Sequence, residues 1–251
     1  MLASGSSGNA TYIQSGTTAV LVDSGLSCAE LTRRLGLIGA NPRDIDALLL
    51  SHEHGDHCSG VVPLSRRHGT TVYMNGGTER KAWRLSPLGG VVNFTTGEPF
   101  TVGCLKLTPF PVTHDAAEPV GFVVSDGTAR AAIATDLGSV TLDVLQGFSG
   151  CDAVVLEANH DEEMLLEGPY PAWLKQRVLG PRGHLSNDDA AALIESVYHV
   201  GLRHLVLAHL SRTNNVPALP VESAKKALGR RSGGVSITLG WHDRVGELLK
   251  I

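Results

Sequence analysis

The stretch LLLSHEHGDHCSG, from Leu48 to Gly60, constrains this chain more than any other part of its sequence. It places His52, His54, Asp56 and His57 within six residues, directly after an apolar run. Burying imidazoles and a carboxylate together costs free energy unless something pairs with them. The stretch therefore predicts a bound partner for these side chains, which other parts of the chain must help to hold.

Further polar side chains follow apolar, strand-like runs elsewhere in the sequence. His114 follows LKLTPFPVT, Asp136 follows AAIAT, His160 follows VVLEAN, and His209 lies within LVLAHLS. Taken singly, each of these residues has an ordinary structural explanation. The ends of strands in layered α/β proteins, however, open onto loops that form sites. Five strands that deliver His or Asp to one edge are not a packing pattern, so we predict a metal site there.

The spacing of the cluster indicates which kind of metal site it forms. His52 and His54 are two residues apart, so they would point away from each other on a helix but can point the same way in an extended loop. Zinc helices of the HExxH class need a different spacing, so that class is excluded. Neutral imidazoles suit Zn, Fe, Mn and similar ions, and the carboxylates add charge neutralisation.

The composition indicates the class of protein that carries this site. The chain has 251 residues, enough for one large domain or two small ones, and 42% of them are apolar, enough for a sizeable core. Its net charge of −4 argues against a protein that coats nucleic acid through bulk charge. We interpret local basic clusters, such as Arg80, Lys81 and Arg84, as solvated helix faces.

The sequence also carries signals about location. It has no apolar run of about 18 residues, so we expect no membrane span. The start, MLASGSSGNATYIQ, lacks the basic and apolar regions of a secretory signal. Cys28, Cys58, Cys104 and Cys151 form no CxxC pair, which favours free thiols. We therefore expect a cytoplasmic protein.

The order of elements is β-rich with interspersed helices. Residues 9–25 indicate a hairpin, Ser27 to Glu30 a capping box that begins a helix, and Val61 to His68 another helix. Residues 91–135 are mostly β with a hairpin turn at Asp126, and HDRVGELLKI at the end predicts one more strand. This order predicts sheets packed on each other with helices outside, in one domain over residues 1–251.

The order of the polar residues resembles the metallo-β-lactamase superfamily over nearly the whole chain. The resemblance rests on HxHxDH at residues 52–57, followed by His114, Asp136 and His209. The chain is most similar to the YycJ (WalJ)-type hydrolases, through SGSSGN at 4–9, HDAAEPVGF at 114–122, LEANHD at 156–161 and GHLSN at 183–187. The HLS elements at His184 and His209 are similar to late motifs of tRNase Z-type nucleases. The resemblance implies an α/β fold, called α+β in some schemes: a four-layer αββα sandwich with the site along one edge.

The same resemblance implies a role for each candidate residue. The cofactors would be two divalent transition-metal ions, Zn or Mn. One ion would be held by His52, His54 and His114, the second by Asp56, His57 and His209, with Asp136 bridging both. The catalytic residues would be Asp56, His184 as proton donor to the leaving oxygen, and Glu157 as the orienting partner of His184. Ser7 and Asn9 would border the site, and His160 would support a ligand, contact substrate or be an extra ligand.

The resemblance implies a metal-dependent hydrolase. The leading function is a phosphodiesterase or nuclease, similar to a DNA exonuclease, with nucleic acid as substrate. Asp136 occurs here, whereas antibiotic-degrading relatives usually use Cys as a second-site ligand, and the HLS element at His184 favours phosphodiesters over thioesters. The alternatives are a small-molecule hydrolase (cyclic phosphodiesterase, thioesterase or lactonase) and a non-catalytic scaffold, against which the complete ligand set argues.

Overall fold

A computed structural model of the chain describes residues 1–82, Leu85, Leu88 and residues 90–251. Its strands form two sheets. The first has five strands, in the order β1 (Thr11–Ser15), β2 (Thr18–Val22), β3 (Ala47–Leu49), β4 (Thr71–Asn75) and β5 (Val91–Phe94). The strands β1 and β2 form the predicted antiparallel hairpin, and the remaining neighbours are parallel.

The second sheet has seven strands, in the order β12-β11-β10-β9-β8-β7-β6. These are β6 (Phe100–Val102), β7 (Leu105–Pro111), β8 (Val120–Ser125), β9 (Arg130–Ala134), β10 (Ala153–Glu157), β11 (His204–Ala208) and β12 (Ser236–Leu239). The strands β6 to β9 are antiparallel, and β9 to β12 are parallel. Parallel strands end at the same edge, so the loops after β9, β10 and β11 lie together.

Helices alternate with the strands. They are α1 (Cys28–Leu37), α2 (Gly55–Cys58), α3 (Val61–His68), α4 (Gly76–Lys81), α5 (Leu142–Phe148), α6 (Glu162–Glu167), α7 (Ala172–Leu179), α8 (Asn187–Val197) and α9 (Ala218–Leu228). None of the helices in the described part of the chain is long and apolar enough to cross a membrane. Arg80 and Lys81 at the end of α4 are exposed, as expected, and Arg84 lies outside the described residues.

Hydrophobic side chains pack in three layers. Leu48 of β3 packs with the helices α1 and α3 on the outer face of the first sheet. Its neighbour Leu49 points the opposite way, into the space between the sheets, where it joins Phe122 of β8. Val144 of α5 and Leu193 of α8 cover the outer face of the second sheet. Each fully buried side chain of this kind stabilises the fold by about 1.5–3 kcal/mol, and the arrangement confirms the αββα sandwich.

Local hydrogen bonds explain why two signals in the sequence, at Asp126 and Ser27, predict a turn and a helix start correctly. Asp126 Oδ1 accepts from the backbone N–H groups of Thr128 and Ala129, both at 2.9 Å, which closes the β8–β9 hairpin. Ser27 Oγ accepts from the Glu30 N–H at 3.3 Å and begins α1 as predicted. The carboxylate of Glu30 does not complete the capping box, because it binds arginine side chains of the same helix instead.

The prediction of a strand at the end of the chain is wrong. Residues 242–251 contain none, and β12 pairs with β11 instead. In the described part of the chain β12 forms the edge of the second sheet, and the later segment does not pair with it. It lies against the start of the chain, where the Gly246 N–H donates to the Met1 carbonyl at 2.9 Å, and it leaves Leu248 exposed.

Candidate metal centre

Loops from both sheets meet at one edge of the sandwich. His52 and His54 lie on the loop after β3, and Asp56 and His57 lie in the short helix α2 that follows. From the second sheet, His114 follows β7, Asp136 follows β9 and His209 follows β11. We call these seven residues the metal centre. The structure thus brings together the seven residues to which the resemblance gives a ligand role.

Two groups of three residues within this centre could each hold an ion. His52, His54 and His114 offer ligand atoms that all lie within 4.8 Å of one another, as do those of Asp56, His57 and His209. His52 Nε2 lies 3.1 Å from His54 Nδ1, so these rings face the same point from an extended loop, as their spacing predicts.

Asp136 lies between the two groups. Its Oδ2 is 2.8 Å from His57 Nε2, and its Oδ1 is 3.6 Å from His114 Nε2 and 3.7 Å from His209 Nε2. The Asp136 carboxylate therefore faces both groups: its Oδ1 is nearest to His114 of the first group, and its Oδ2 is nearest to His57 of the second. This is the position that a bridging ligand requires.

Four imidazoles are held through Nδ1, which leaves Nε2 directed at the centre. The contacts are His52 with Ser51 Oγ at 3.0 Å, His57 with Asp23 Oδ2 at 2.8 Å, His114 with the Gly183 carbonyl at 3.1 Å, and His209 with Glu157 Oε1 at 2.8 Å. Metal-binding histidines are typically oriented by such a bond to the other ring nitrogen. Moreover, His209 Nε2 is buried without a hydrogen-bond partner among the described residues. The donor set therefore fits divalent metal ions.

Asp23 is a site residue that the sequence analysis missed. Its Oδ1 accepts from the Ser51 N–H at 2.8 Å, and its Oδ2 accepts from Ser51 Oγ at 2.8 Å and binds His57 Nδ1 at the same distance. Its φ of 61° lies in the left-handed region, which residues other than glycine rarely adopt. Asp23 directly follows β2, so it shares with His114, Asp136 and His209 the pattern of a polar residue after an apolar strand.

Glu157 holds two histidines at once. It is fully buried, and its Oε2 accepts from the backbone N–H groups of Leu137 at 2.8 Å and Leu185 at 3.2 Å. Its Oε1 binds His184 Nδ1 at 2.7 Å and His209 Nδ1 at 2.8 Å. The predicted contact between Glu157 and His184 is therefore present, and Glu157 orients a predicted metal ligand as well.

His184 combines two features that bear on its role. Its ligand atom lies within 4.8 Å of those of Asp136, Glu157 and His209, so distance alone would also allow it to bind an ion. Its Nδ1, however, is bound by Glu157, and the ring is partly exposed. Burial lowers the pKa of His184, but the Glu157 carboxylate outweighs this effect, so the pKa is raised overall.

The buried charges of the centre stabilise one another. Burial would raise the pKa of Asp136, but His209 and His57 hold it well below its usual value. Burial lowers the pKa of His209, yet Asp136 and the other carboxylates outweigh it and raise that pKa to about 10. The carboxylates thus make the centre strongly attractive to cations.

The remaining predicted residues lie around the centre at different depths. Asn9 is buried, with its Nδ2 2.9 Å from His57 Nε2 and 3.4 Å from Asp56 Oδ2. Ser7 is exposed, and its Oγ accepts from Arg212 at 3.4 Å. His160 is buried outside the ligand groups found in the described part of the chain, and its carbonyl accepts from the Asn187 N–H at 2.8 Å.

Comparison of the sequence with known proteins gives its relatives. Residues 18–210 match the Beta-lactamase superfamily domain. The chain is similar to the exodeoxyribonuclease YycJ of Bacillus anthracis, with 35% identity over 97% of this chain and 93% of the relative. It is equally similar to the exodeoxyribonuclease WalJ of Streptococcus pneumoniae, with 35% identity over 97% of this chain and 92% of the relative.

Solved structures share the fold. The metallo-β-lactamase fold protein YhfI from Bacillus subtilis matches with a TM-score of 0.73 at 20% identity, over 96% of this chain and 93% of that one. The short form of human tRNase Z matches with a TM-score of 0.61 at 17% identity, over 84% of this chain and 91% of that one. At such identities the likeness concerns the fold alone.

Proposed function

We propose, since this chain belongs to the metallo-β-lactamase superfamily, that it is a metal-dependent phosphodiesterase that degrades DNA from its ends. The observation that carries the proposal is a set of four imidazoles that are each held through Nδ1, three of which have their Nε2 within 3.7 Å of the Asp136 carboxylate. The choice of DNA is supported by the two relatives at 35% identity, both of which are exodeoxyribonucleases by name.

The proposal assigns two divalent ions to the metal centre, Zn or Mn. One would be held by His52, His54 and His114, and the other by Asp56, His57 and His209, with Asp136 shared. Imidazole-rich sites bind Zn more tightly than Mn, although affinity does not identify the ion that works in the cell. Such a pair of ions lowers the pKa of water and stabilises the oxygens of an in-line displacement.

Two protein groups handle protons in this proposal. The Nδ1 of His184 binds Glu157 at 2.7 Å, so the opposite nitrogen is free to donate a proton to the departing oxygen of the sugar. Glu157 stabilises the protonated ring. Asp56 has a partly exposed carboxylate, whose Oδ2 lies 3.7 Å from both His57 Nε2 and His209 Nε2. In this position the carboxylate can accept a proton from the attacking water.

In this role residues 1–251 would act as one domain in the cytoplasm. Side chains of both sheets share the central hydrophobic layer, and ligands from both sheets share the metal centre, which supports a single functional unit. None of the four cysteines forms a disulfide, which suits a reducing compartment.

The test is hydrolysis by protein reconstituted with Zn or Mn. We expect release of nucleotides from end-labelled DNA and turnover of bis-p-nitrophenyl phosphate, with little activity on RNA, a glutathione thioester or a lactone. The matched control is His52→Ala, which should be inactive on all of them. Turnover of the thioester or lactone with none on DNA would replace the proposal with the small-molecule hydrolase.

A further inference from the structure

Helix α7 contributes little to the core of the protein. Only Val178 of its residues is buried, and Leu179 is exposed. Trp173 is 65% exposed, although a buried tryptophan would contribute more to stability than almost any other side chain. Packing therefore does not explain why this helix carries a tryptophan at this position.

The segment that contains α7 is basic in an otherwise acidic chain. Residues 172–183 include Lys175, Arg177 and Arg182 and no carboxylate, whereas the whole chain has a net charge of −4. A local positive surface of this kind can attract a polyanion, which the negative net charge of the whole chain does not.

This segment is fixed directly to the metal centre. Arg182 donates from Nε to the carbonyl of His114 at 3.1 Å and from Nη2 to the carbonyl of Ala116 at 3.3 Å. The His184 N–H donates to the carbonyl of Val178, the penultimate residue of α7, at 3.0 Å. Helix α7 therefore keeps a constant position relative to a ligand and to the proposed proton donor.

Arg177 brings a guanidinium close to the first ligand group. Its Nη2 lies 2.6 Å and its Nε 2.8 Å from Asp115 Oδ2. Asp115 Oδ1 in turn lies 3.2 Å from His114 Nε2 and 3.9 Å from His54 Nε2. The Arg177 side chain is 56% exposed, and the pair with Asp115 occupies only part of its five donors. It can therefore bind a second anion that lies next to the centre.

We propose that α7 binds single-stranded DNA beside the phosphodiester at the metal centre. Arg177 donates to a backbone phosphate, for which a planar guanidinium fork is well suited. Trp173 stacks on a base, which must be unpaired to offer its face. The inference rests on the proposed function and names the strand form that the same site would take.

The test measures binding of fluorescein-labelled, phosphorothioate-linked oligo(dT) to the full-length, metal-loaded protein across a range of salt concentrations. Loss of one phosphate contact in Arg177→Ala should reduce the slope of log affinity against log salt by about 0.7. Trp173→Ala should weaken binding about tenfold, as expected for one stacked base, with the slope unchanged. On blunt duplex DNA, Trp173→Ala should have no effect.

Two matched controls lie away from the centre. Arg203 is 51% exposed and pairs with Asp152 at 3.4 Å, as Arg177 pairs with Asp115, but it precedes β11, at the opposite end from His209. Val200 is 96% exposed in the same region. Arg203→Ala and Val200→Ala should bind oligo(dT) like the wild type. The metal content of each α7 variant and its rate on bis-p-nitrophenyl phosphate report whether the metal centre is still intact.

The outcomes separate this inference from the proposed function. If the wild type degrades DNA but both α7 variants keep its affinity and salt slope, the inference is overturned and the function stands. If Arg177→Ala loses metal and slows equally on both substrates, Arg177 only holds Asp115 in place, which also overturns it. If the wild type hydrolyses none of the phosphodiesters, the proposed function itself fails.

Discussion

Replacing His184 with alanine removes one of the two imidazoles that Glu157 binds. The carboxylate keeps its other partners, because Oε1 still binds His209 Nδ1 at 2.8 Å and Oε2 still accepts from the N–H groups of Leu137 and Leu185. No buried charge is left without a partner, and the seven residues of the metal centre remain. We therefore expect His184→Ala to fold and to bind metal like the wild type.

The size of the effect should depend on the leaving group. A positioned general acid contributes about 10²–10⁴-fold to the rate. At about 1.36 kcal/mol for each factor of ten, this is a barrier difference of about 2.7–5.4 kcal/mol. An alkoxide leaves DNA poorly without a proton, so DNA hydrolysis should slow by a factor in that range. A p-nitrophenolate leaves readily without one, so bis-p-nitrophenyl phosphate should lose much less.

The assay compares both rates with the metal content of the same preparation. His204→Ala is the control, because it removes a histidine at the start of β11, where the ring contacts the Lys250 carbonyl. Loss of one metal equivalent from His184→Ala would show that His184 is a ligand. Equal slowing on both substrates with the metals retained would show that it positions the phosphate, and either result refutes the general-acid role.

Three further predictions concern the metal centre and helix α1. Protein reconstituted with Zn or Mn should contain close to two ions per chain, and His52→Ala should be inactive. Metal analysis that finds less than one ion in the wild type would contradict the dinuclear centre. Asp23→Asn should weaken metal affinity by about 10–100-fold in chelator competition, because His57 loses its orienting carboxylate, and an unchanged affinity would deny Asp23 that role. Arginine hydrogen bonds lower the pKa of Glu30 from 4.5 to about 2, so its contribution is complete above pH 4.5 and lost as the pH falls through 2. Glu30 and Arg33 are partly exposed, and the buried Arg34 keeps its hydrogen bonds to the carbonyls of Leu2 and His242. Urea unfolding of Glu30→Gln at neutral pH should therefore show a loss of about 1 kcal/mol, which shrinks on acidification; an undiminished loss at pH 2 would exclude ionisation as its cause.

The fold and the ligand cluster could be predicted because their signals are local. A polar residue directly after an apolar run predicts a strand end at a site, and this rule gives His114, Asp136 and His209. The same rule applies to Asp23, but in the sequence DSG an aspartate has an equally good explanation as a turn residue. What distinguishes Asp23 is its contact with Ser51, and that contact exists only when β2 and β3 are paired.

The missed elements depend on non-local contacts. The last residues of the chain have a strand-like pattern, but their backbone bonds to the distant start of the chain, where the Gly246 N–H donates to the Met1 carbonyl. The second role of Glu157, as the partner of His209, could not be predicted either. It follows from the parallel pairing of β10 with β11, which places Glu157 opposite Ala208.

Each of the two ligand groups takes residues from both sheets. The first combines His52 and His54 from the five-stranded sheet with His114 from the seven-stranded one, and the second combines Asp56 and His57 with His209. An ion in either group would therefore act as a crosslink between two halves of the chain that are distant in sequence. Neither crosslink can form before the sheets have docked, so metal capture would be a late event in folding. A chelator would then loosen the junction between the halves before it disturbed either sheet.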